Sequence, residues 1–369
     1  MKYLFLTTGI ALGHCTRDEA LIRFLEKDND VTIACYNISY NYFKDRYDTI
    51  KLASVGFSNN DQEFKLIKNL IINWSLFLKW FYNLIKLKIY VMKNKPDLII
   101  SDFEPIGLFF KKSIFIFNYS PEKIKGLDLN TSLKFQKTLL NFQFKLLKLF
   151  RKTIIVPCIN KESINKEITN RDNTNKDNAE FIRPVDLIIR RDKEELGSKE
   201  ALMKKLNLKK EPILIMLGGS KFGLQLVEKI INVVEDFDEQ FVIFGYEIEK
   251  ENITGFKFKE NFLEYLKVCK GVITLAGFST LSEALLYKKP CLVFPIENHI
   301  EQLSVINEFE PYIIHKRLDC TEEHIYYHIK NFLKNKIKLE NKIKNLNINN
   351  STKEVVGILI SEAEKNLGE

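Results

Sequence analysis

Short apolar runs, each followed by a stretch of helical period, recur along both halves of this chain, and that alternation restricts it to a narrow set of folds. Lys2 to Thr8 reads as a buried strand, followed by a loop and a helix from about Thr16 to Lys27. Asp30 to Tyr36 reads as a second strand and Phe64 to Met92 as a long helix. Pro96 to Asp102 and Ser113 to Phe117 are further strands, Ser132 to Phe150 a helix, and Thr153 to Val156 a strand. Strands separated by helices predict a parallel sheet with helices on both faces.

The polar, asparagine-rich stretch Asn160 to Glu180 then predicts an exposed loop, and Phe181-Ile-Arg-Pro184-Val the last strand of a first domain. A second alternation starts at Pro212 to Leu217. It continues through a helix from about Phe222 to Val234, a strand Gln240 to Phe244 and a helix Phe262 to Cys269. The 369 residues exceed one typical domain and suit two, each large enough to bury a core. The expected division is 1–184, 185–350 and a C-terminal segment 351–369, whose helix covers roughly Lys353 to Lys365. The fold class is therefore α/β, with two doubly wound, Rossmann-like domains expected to face a cleft.

One stretch carries chemistry. Gly271-Val-Ile-Thr-Leu reads as a buried strand, and a turn at Gly277 feeds a helix from Ser279 to Lys288. A helix that opens directly after a tight turn presents unpaired N–H groups and the positive end of its dipole, an anion site. Glu283 lies one turn further on, where a carboxylate can accept hydrogen bonds from the vicinal hydroxyls of a sugar. Diphosphate at the turn and ribose at the Glu is the arrangement a nucleotide-diphosphate sugar needs.

A Gly, a Glu six positions later, a Lys289-Pro290 turn, a strand ending at Pro295 and then Gln302 form a pattern that resembles the donor half of GT-B glycosyltransferases. It is most similar to the UDP-N-acetylglucosamine transferases of bacterial cell-wall synthesis. The resemblance implies a UDP-sugar held by Gly277, Phe278, Ser279, Thr280 and Glu283, with Glu301 and Gln302 at the transferred sugar. It also implies that backbone near Phe262 reads the uracil, and that the C-terminal helix crosses back to the first domain.

Gly218-Gly219-Ser220 follows a buried strand and precedes a helix, so small residues there let backbone approach a phosphate; a plain strand–helix turn is the competing reading. His14 follows the first strand, and in a doubly wound sheet the loop after strand one borders the ligand crevice. A His there is a candidate general base for an acceptor hydroxyl, the alternative being a packing or capping role. The resemblance places a Gly-His at this turn in relatives, although Cys15-Thr16-Arg17 replaces the apolar-Pro segment of the cell-wall enzymes. Asp102 ends a strand at the same edge and could bond the imidazole; Glu104 competes for that role, and Asp102 could equally cap the following turn.

Asp236-Phe-Asp238 spells a D-x-D, but it lies between a helix end and a strand start, on the edge away from the crevice, so no metal site is expected. Six cysteines without a C-x-x-C pair suggest reduced thiols in a cytoplasmic protein. The apolar start, Met1 to Cys15, reads as a first strand rather than a cleaved leader.

Net charge is +8, concentrated in two segments. Phe64 to Lys95 holds seven lysines and Thr131 to Lys152 six basic residues, with no carboxylate in either. Solvated lysines beside a core-facing stripe are one reading. The other is a peripheral contact with an anionic membrane, on the inner face where a lipid-linked acceptor would lie. Nucleic acid is disfavoured because no recognition motif accompanies the charge. The expectation is an inverting glycosyltransferase using a UDP-sugar as donor substrate and neither cofactor nor metal. A UDP-sugar 2-epimerase of the same architecture and a non-catalytic nucleotide-sugar-binding protein remain as alternatives.

Overall fold

The computed structural model describes residues 1–54, 75–119, 121–124, 126–162, 164–165, 181–217, 221–316 and 321–368. The chain folds into two compact units, one running to Arg190 and resuming at Asn350, the other covering Arg191–Asn349.

The first unit opens with β1 (Lys2–Thr7), α1 (Leu12–Leu25), β2 (Asp30–Cys35), α2 (Asn37–Phe43) and β3 (Asp48–Lys51). It continues with α3 (Ser75–Asn94), β4 (Leu98–Asp102), β5 (Ser113–Ile116), α4 (Thr131–Leu149), β6 (Ile154–Pro157) and β7 (Ile182–Val185). Its strands form one sheet in the order β3-β2-β1-β4-β5-β6-β7, every neighbouring pair parallel. Side chains alternate across it as the pleat requires. Tyr3 and Phe5 join Leu21 and Leu25 of α1, whereas Leu4 and Leu6 join Leu84 and Leu87 of α3.

Because strand order moves outward from β1 in one direction and then restarts at β4 in the other, β1 and β4 form the topological switch point. The loops leaving their carboxyl ends diverge to opposite faces and leave a crevice. Gly9 shapes that edge. A Cβ there would lie 2.1 Å from the carbonyl oxygen of Tyr36, so the loop after β1 packs against the end of β2 only without a side chain.

The second unit comprises α5 (Lys199–Lys205), β8 (Ile213–Met216), α6 (Lys221–Val234), β9 (Phe241–Phe244), β10 (Ile248–Glu249) and β11 (Ile253–Phe256). Then come α7 (Phe262–Val268), β12 (Gly271–Thr274), α8 (Phe278–Leu286), β13 (Cys291–Val293), α9 (Ile300–Phe309), β14 (Ile313–His315) and α10 (Glu322–Lys344). The sheet order is β10-β11-β9-β8-β12-β13-β14, parallel except for the β10–β11 edge pair, and its switch point lies between β8 and β12. One face is sealed by α6 and α10, whose Ile230, Ile231, Ile325, Ile329 and Phe332 pack with Ile213, Ile243 and Ile273.

The last helix, α11 (Thr352–Leu367), belongs to the first unit and buries Val355, Leu359 and Ala363 against α1. Residues past β7 stay with that unit because Ser351 donates to the Asp186 carbonyl at 2.6 Å and Thr352 to the Ile189 carbonyl at 3.0 Å. The border thus falls after Arg190 rather than at Pro184.

Local differences from the sequence reading have identifiable causes. Helix α1 starts at Leu12, not Thr16; the Thr16 hydroxyl turns back to the Gly13 carbonyl at 3.1 Å instead of capping. Of the long helix expected from Phe64, Ser75–Asn94 is described; residues 55–74 and most of the Asn160 to Glu180 loop lie outside the described residues.

Replacing Gly9 by Ala should destabilise the protein by about 1–3 kcal/mol, the usual range for forcing extra volume into a packed site. Urea denaturation checks this, and an unchanged midpoint would mean that the loop shifts freely.

Candidate active site

The crevice at the β1–β4 edge holds a buried polar cluster built from α1 and β4. His14 is the third residue of α1 and 8% exposed, so it belongs to the helix and not to the preceding loop. Asp102 is the last residue of β4 and fully buried. Although 88 residues apart in the chain, their Nδ1 and Oδ1 atoms stand 2.7 Å apart. Two further residues of α1 complete the cluster. Arg17 donates from Nε to Asp102 Oδ2 at 2.7 Å and from Nη2 to Oδ1 at 2.5 Å, while Asp18 accepts the Thr7 hydroxyl at 2.6 Å.

Burial alone would push the Asp102 carboxyl up, but Arg17 and then His14 reverse this and hold it well below the usual carboxylate range. Asp18 goes the other way, pushed well up by burial and by the charge of Asp102. Sequence reasoning missed both Arg17 and Asp18. The signal was their position three and four residues beyond His14, which puts all three on one face of a helix.

The chain then turns sharply. Phe103 adopts φ +56, a region that side chains occupy at a cost, and its ring lies 5.5 Å from the His14 ring and stacks on Phe117 at 4.7 Å. Glu104, 4% exposed, accepts from Tyr36 Oη at 3.2 Å and from the N–H of Ile106 at 3.5 Å. It therefore caps the following 3₁₀ turn, the role Asp102 was an alternative for, and does not compete with Asp102 for the imidazole.

In the second unit, Gly277 is the N-cap of α8 at the end of β12, beside the β8–β12 switch point. Its φ of −79 is ordinary, and among the described residues a Cβ added there would meet nothing nearer than Thr280 Oγ1 at 4.0 Å. Neither backbone strain nor packing against the described residues demands glycine here. The helical ladder begins with Leu281 N–H to the Gly277 carbonyl at 3.1 Å, so Phe278, Ser279 and Thr280 form the first turn. Glu283 is buried at 3% exposure in the same helix.

Two aromatic side chains at the expected donor positions pack inward. The Phe278 ring packs edge-on against Phe309 at 5.7 Å, and the Phe262 ring against Phe244 at 5.1 Å. Both rings are core side chains, and the role expected at these two positions is one for backbone. Gln302, in the first turn of α9, accepts the Ile296 N–H through Oε1 at 2.7 Å and so braces the loop from β13; Glu301 precedes it, half-buried. His299, which sequence reasoning passed over, caps α9 by accepting the Gln302 N–H at 3.4 Å, and desolvation lowers its pKa, favouring the neutral form that can accept. Gly218, Gly219 and Ser220 lie outside the described residues. Asp236 and Asp238 sit between α6 and β9, at the amino edge of the sheet.

Two doubly wound units, each with polar machinery at its switch point, define a protein of the GT-B class. Residues 1–116 and 219–335 match the family described as glycosyl transferase family 1, and the chain belongs to that family. Among curated proteins it is 29% identical over 122 residues to an uncharacterized glycosyltransferase of Methanopyrus kandleri, covering 31% of this chain and 36% of that one. It is 31% identical over 108 residues to the UDP-N-acetylglucosamine–N-acetylmuramyl-(pentapeptide) pyrophosphoryl-undecaprenol N-acetylglucosamine transferase of Thermosipho africanus, covering 28% and 32%. The chain thus spans about a third of the length of these relatives. Solved structures agree over nearly the whole chain. A UDP-glucosyltransferase of Polygonum tinctorium, in complex with 3,4-dichloroaniline, superposes with TM-score 0.66 at 11% identity over 98% of this chain and 99% of that one. Phytolacca americana UGT2, complexed with UDP-2-fluoro-glucose and pterostilbene, gives 0.64 at 11% over 100% of each. At such identity the likeness is one of fold.

Glu104 generates a pH test. Burial pushes its carboxyl up to about 7 from 4.5, against opposing hydrogen bonds from Ile106 and Tyr36. A carboxyl raised on folding contributes stability that is complete below its unfolded value and lost as pH rises through the folded one. Between pH 5 and pH 8 wild type should therefore lose roughly 2–3 kcal/mol that Glu104→Gln retains. Denaturant unfolding at both pH values decides it; equal losses in the two proteins would show that Glu104 is not the titrating group.

Proposed function

We propose that the chain transfers a sugar from a UDP-sugar to an acceptor hydroxyl, with inversion at the anomeric carbon and without a metal ion. The observation that carries this reading is the buried His14–Asp102 contact at the switch point of the first sheet, in a chain of this family. With the Nδ1 proton donated to Asp102, the imidazole lone pair lies on Nε2. It takes the acceptor's proton as the hydroxyl oxygen bonds to the anomeric carbon, and the bond from that carbon to the diphosphate breaks. A single displacement inverts the centre.

The second unit supplies the donor site on this reading. Gly277 puts no side chain in the way of a diphosphate, and the α8 N-terminus stabilises the negative charge that accumulates as UDP leaves. Glu283 binds ribose hydroxyls. Glu301 and the amide NH2 of Gln302 meet the sugar, the Gln302 oxygen being engaged by Ile296. UDP is the inferred nucleotide because proteins similar to this chain carry it in their names.

His14→Ala should lower turnover at least about a hundredfold while UDP affinity holds, and Glu283→Ala should weaken UDP binding by about 1.5–3 kcal/mol. Acceptor-dependent UDP release and calorimetry measure the two, with chelator present throughout. A folded Glu283→Ala protein with wild-type UDP affinity would remove Glu283 from the site. UDP-sugar interconversion without an acceptor would replace the transferase with an epimerase.

A lipid-linked acceptor is supported by α3 and α4. Helix α3 buries Leu76, Leu84 and Leu87, yet it also exposes Phe77, Leu78, Phe81, Tyr82, Ile85, Ile89 and Met92 on its opposite side. Helix α4 exposes Phe135, Leu139, Phe142 and Leu149 along one stripe, with Lys134, Lys137, Lys145 and Lys148 beside it. By right-handed crossover both helices cover the same face of the sheet. A solvated helix has no need of a second apolar face, whereas an apolar stripe flanked by lysines suits an anionic lipid surface. No helix among the described residues is long and apolar enough to span a membrane. Wild type should float with anionic vesicles, less at high salt, and Phe77→Ser with Phe81→Ser should stay in the soluble fraction with UDP affinity intact. Wild type that ignores anionic vesicles would point to a soluble acceptor.

A further inference from the structure

The buried centre of the first unit contains more charge than a His–Asp pair requires. Arg17 follows His14 by one turn on the same face of α1, and its side chain is 1% exposed. Its fork occupies both oxygens of Asp102, and Oδ1 also meets His14 Nδ1, so three nitrogens converge on one carboxylate. A carboxylate can accept all three; a protonated one cannot, because its own hydrogen would meet one of them. Arg17 Nη2 also lies 3.1 Å from His14 Nδ1. With Nδ1 bearing a proton that approach is a contact and not a hydrogen bond, and it blocks the imidazole from sliding along Asp102.

Among the described residues, the groups facing Asp102 are few. From α1 come His14, Arg17, Asp18 and the Cys15 thiol, which burial pushes far up. From β1 comes Thr7, bonded to Asp18. Helix α11, packed behind α1, contributes apolar side chains to this core, and Glu104 turns to Tyr36. Arg17 is thus the cation that sets two neighbouring carboxyls apart: its fork holds Asp102 down, while burial and the charge of Asp102 push Asp18 up.

We propose that Arg17 is a positioning residue for His14: by holding Asp102 ionised and both its oxygens oriented, it keeps the imidazole proton on Nδ1 and the lone pair on Nε2. This rests on the reading of His14 as the base that accepts the acceptor's proton.

The test uses the full chain labelled with 15N, the His14 ring signals being assigned by their loss in His14→Gln. Wild type should show a single tautomer, protonated at Nδ1. In Arg17→Met, the Asp102 carboxyl should titrate higher, the His14 tautomers should mix, and the acid limb of the turnover profile should move up, by at most about 1–3 pH units, the range in which a neighbouring opposite charge moves a carboxyl. Arg17→Lys retains the charge without the fork, so its acid limb should fall between the two and its tautomer stay mostly on Nδ1. UDP affinity should be unchanged in both. Where Arg17→Met fails to fold, Arg17→Lys decides by itself. A folded variant with the wild-type tautomer and the wild-type acid limb overturns the proposal, even if its turnover is low. Full turnover in His14→Ala would instead overturn the base assignment, leaving the tautomer measurement to judge Arg17.

Discussion

A parallel strand reaches its neighbour only through a crossover, and the crossover is right-handed because strand twist and helix hand leave no other packing. This constraint organises both units. Starting mid-sheet, the chain must fill one side and then cross to the other, which leaves a crevice where the carboxyl ends of β1 and β4, and of β8 and β12, send their loops apart. His14 and Asp102 lie at the first crevice and Gly277 beside the second. The sheets themselves are plain apolar scaffolds. Their central strands are buried on both faces, and the polar residues that matter cluster where strands stop.

The two edges solve different electrostatic problems. In the second unit the helix N-terminus presents partial charge from the backbone, which costs nothing to hold in place and suits a diphosphate. In the first unit full charges are buried. An arginine and an ionised aspartate out of water, with a second carboxyl beside them, are expensive, and such groupings seldom add stability over an apolar filling. On the proposed function their cost makes sense through the neighbour they constrain, the His14 imidazole. The strained Phe103 is part of the same construction, since its turn sends Asp102 and Glu104 to separate partners.

Helices α3 and α4 depart from the amphipathic rule. A helix that covers a sheet needs one apolar stripe; α3 has two, and the second faces outward. Exposed area of this kind opposes solubility, and flanking lysines offset the hazard while adding affinity for negative surfaces.

What the sequence determined by itself was whatever is written locally. Alternation of apolar runs and helical periods was enough for two largely parallel sheets, and the residues after the Gly271 strand were enough for a turn at Gly277 that opens a helix. Even α10, which the sequence reading passed over, left its stripe in Ile325, Ile329, Phe332, Leu339 and Ile343. Short edge elements such as β3 and β10 were not legible, because a few half-exposed residues carry no clear period. Tertiary structure alone decided the rest. Residues 88 apart meet at His14 and Asp102 only because β1 and β4 are neighbours in register, Thr7 beside Asp102. The same packing turned Phe262 and Phe278 into core residues and left the outer face of α3 bare. Local period records which residues can share a face; what that face meets is settled by strand order and crossover hand, which join segments far apart in the chain.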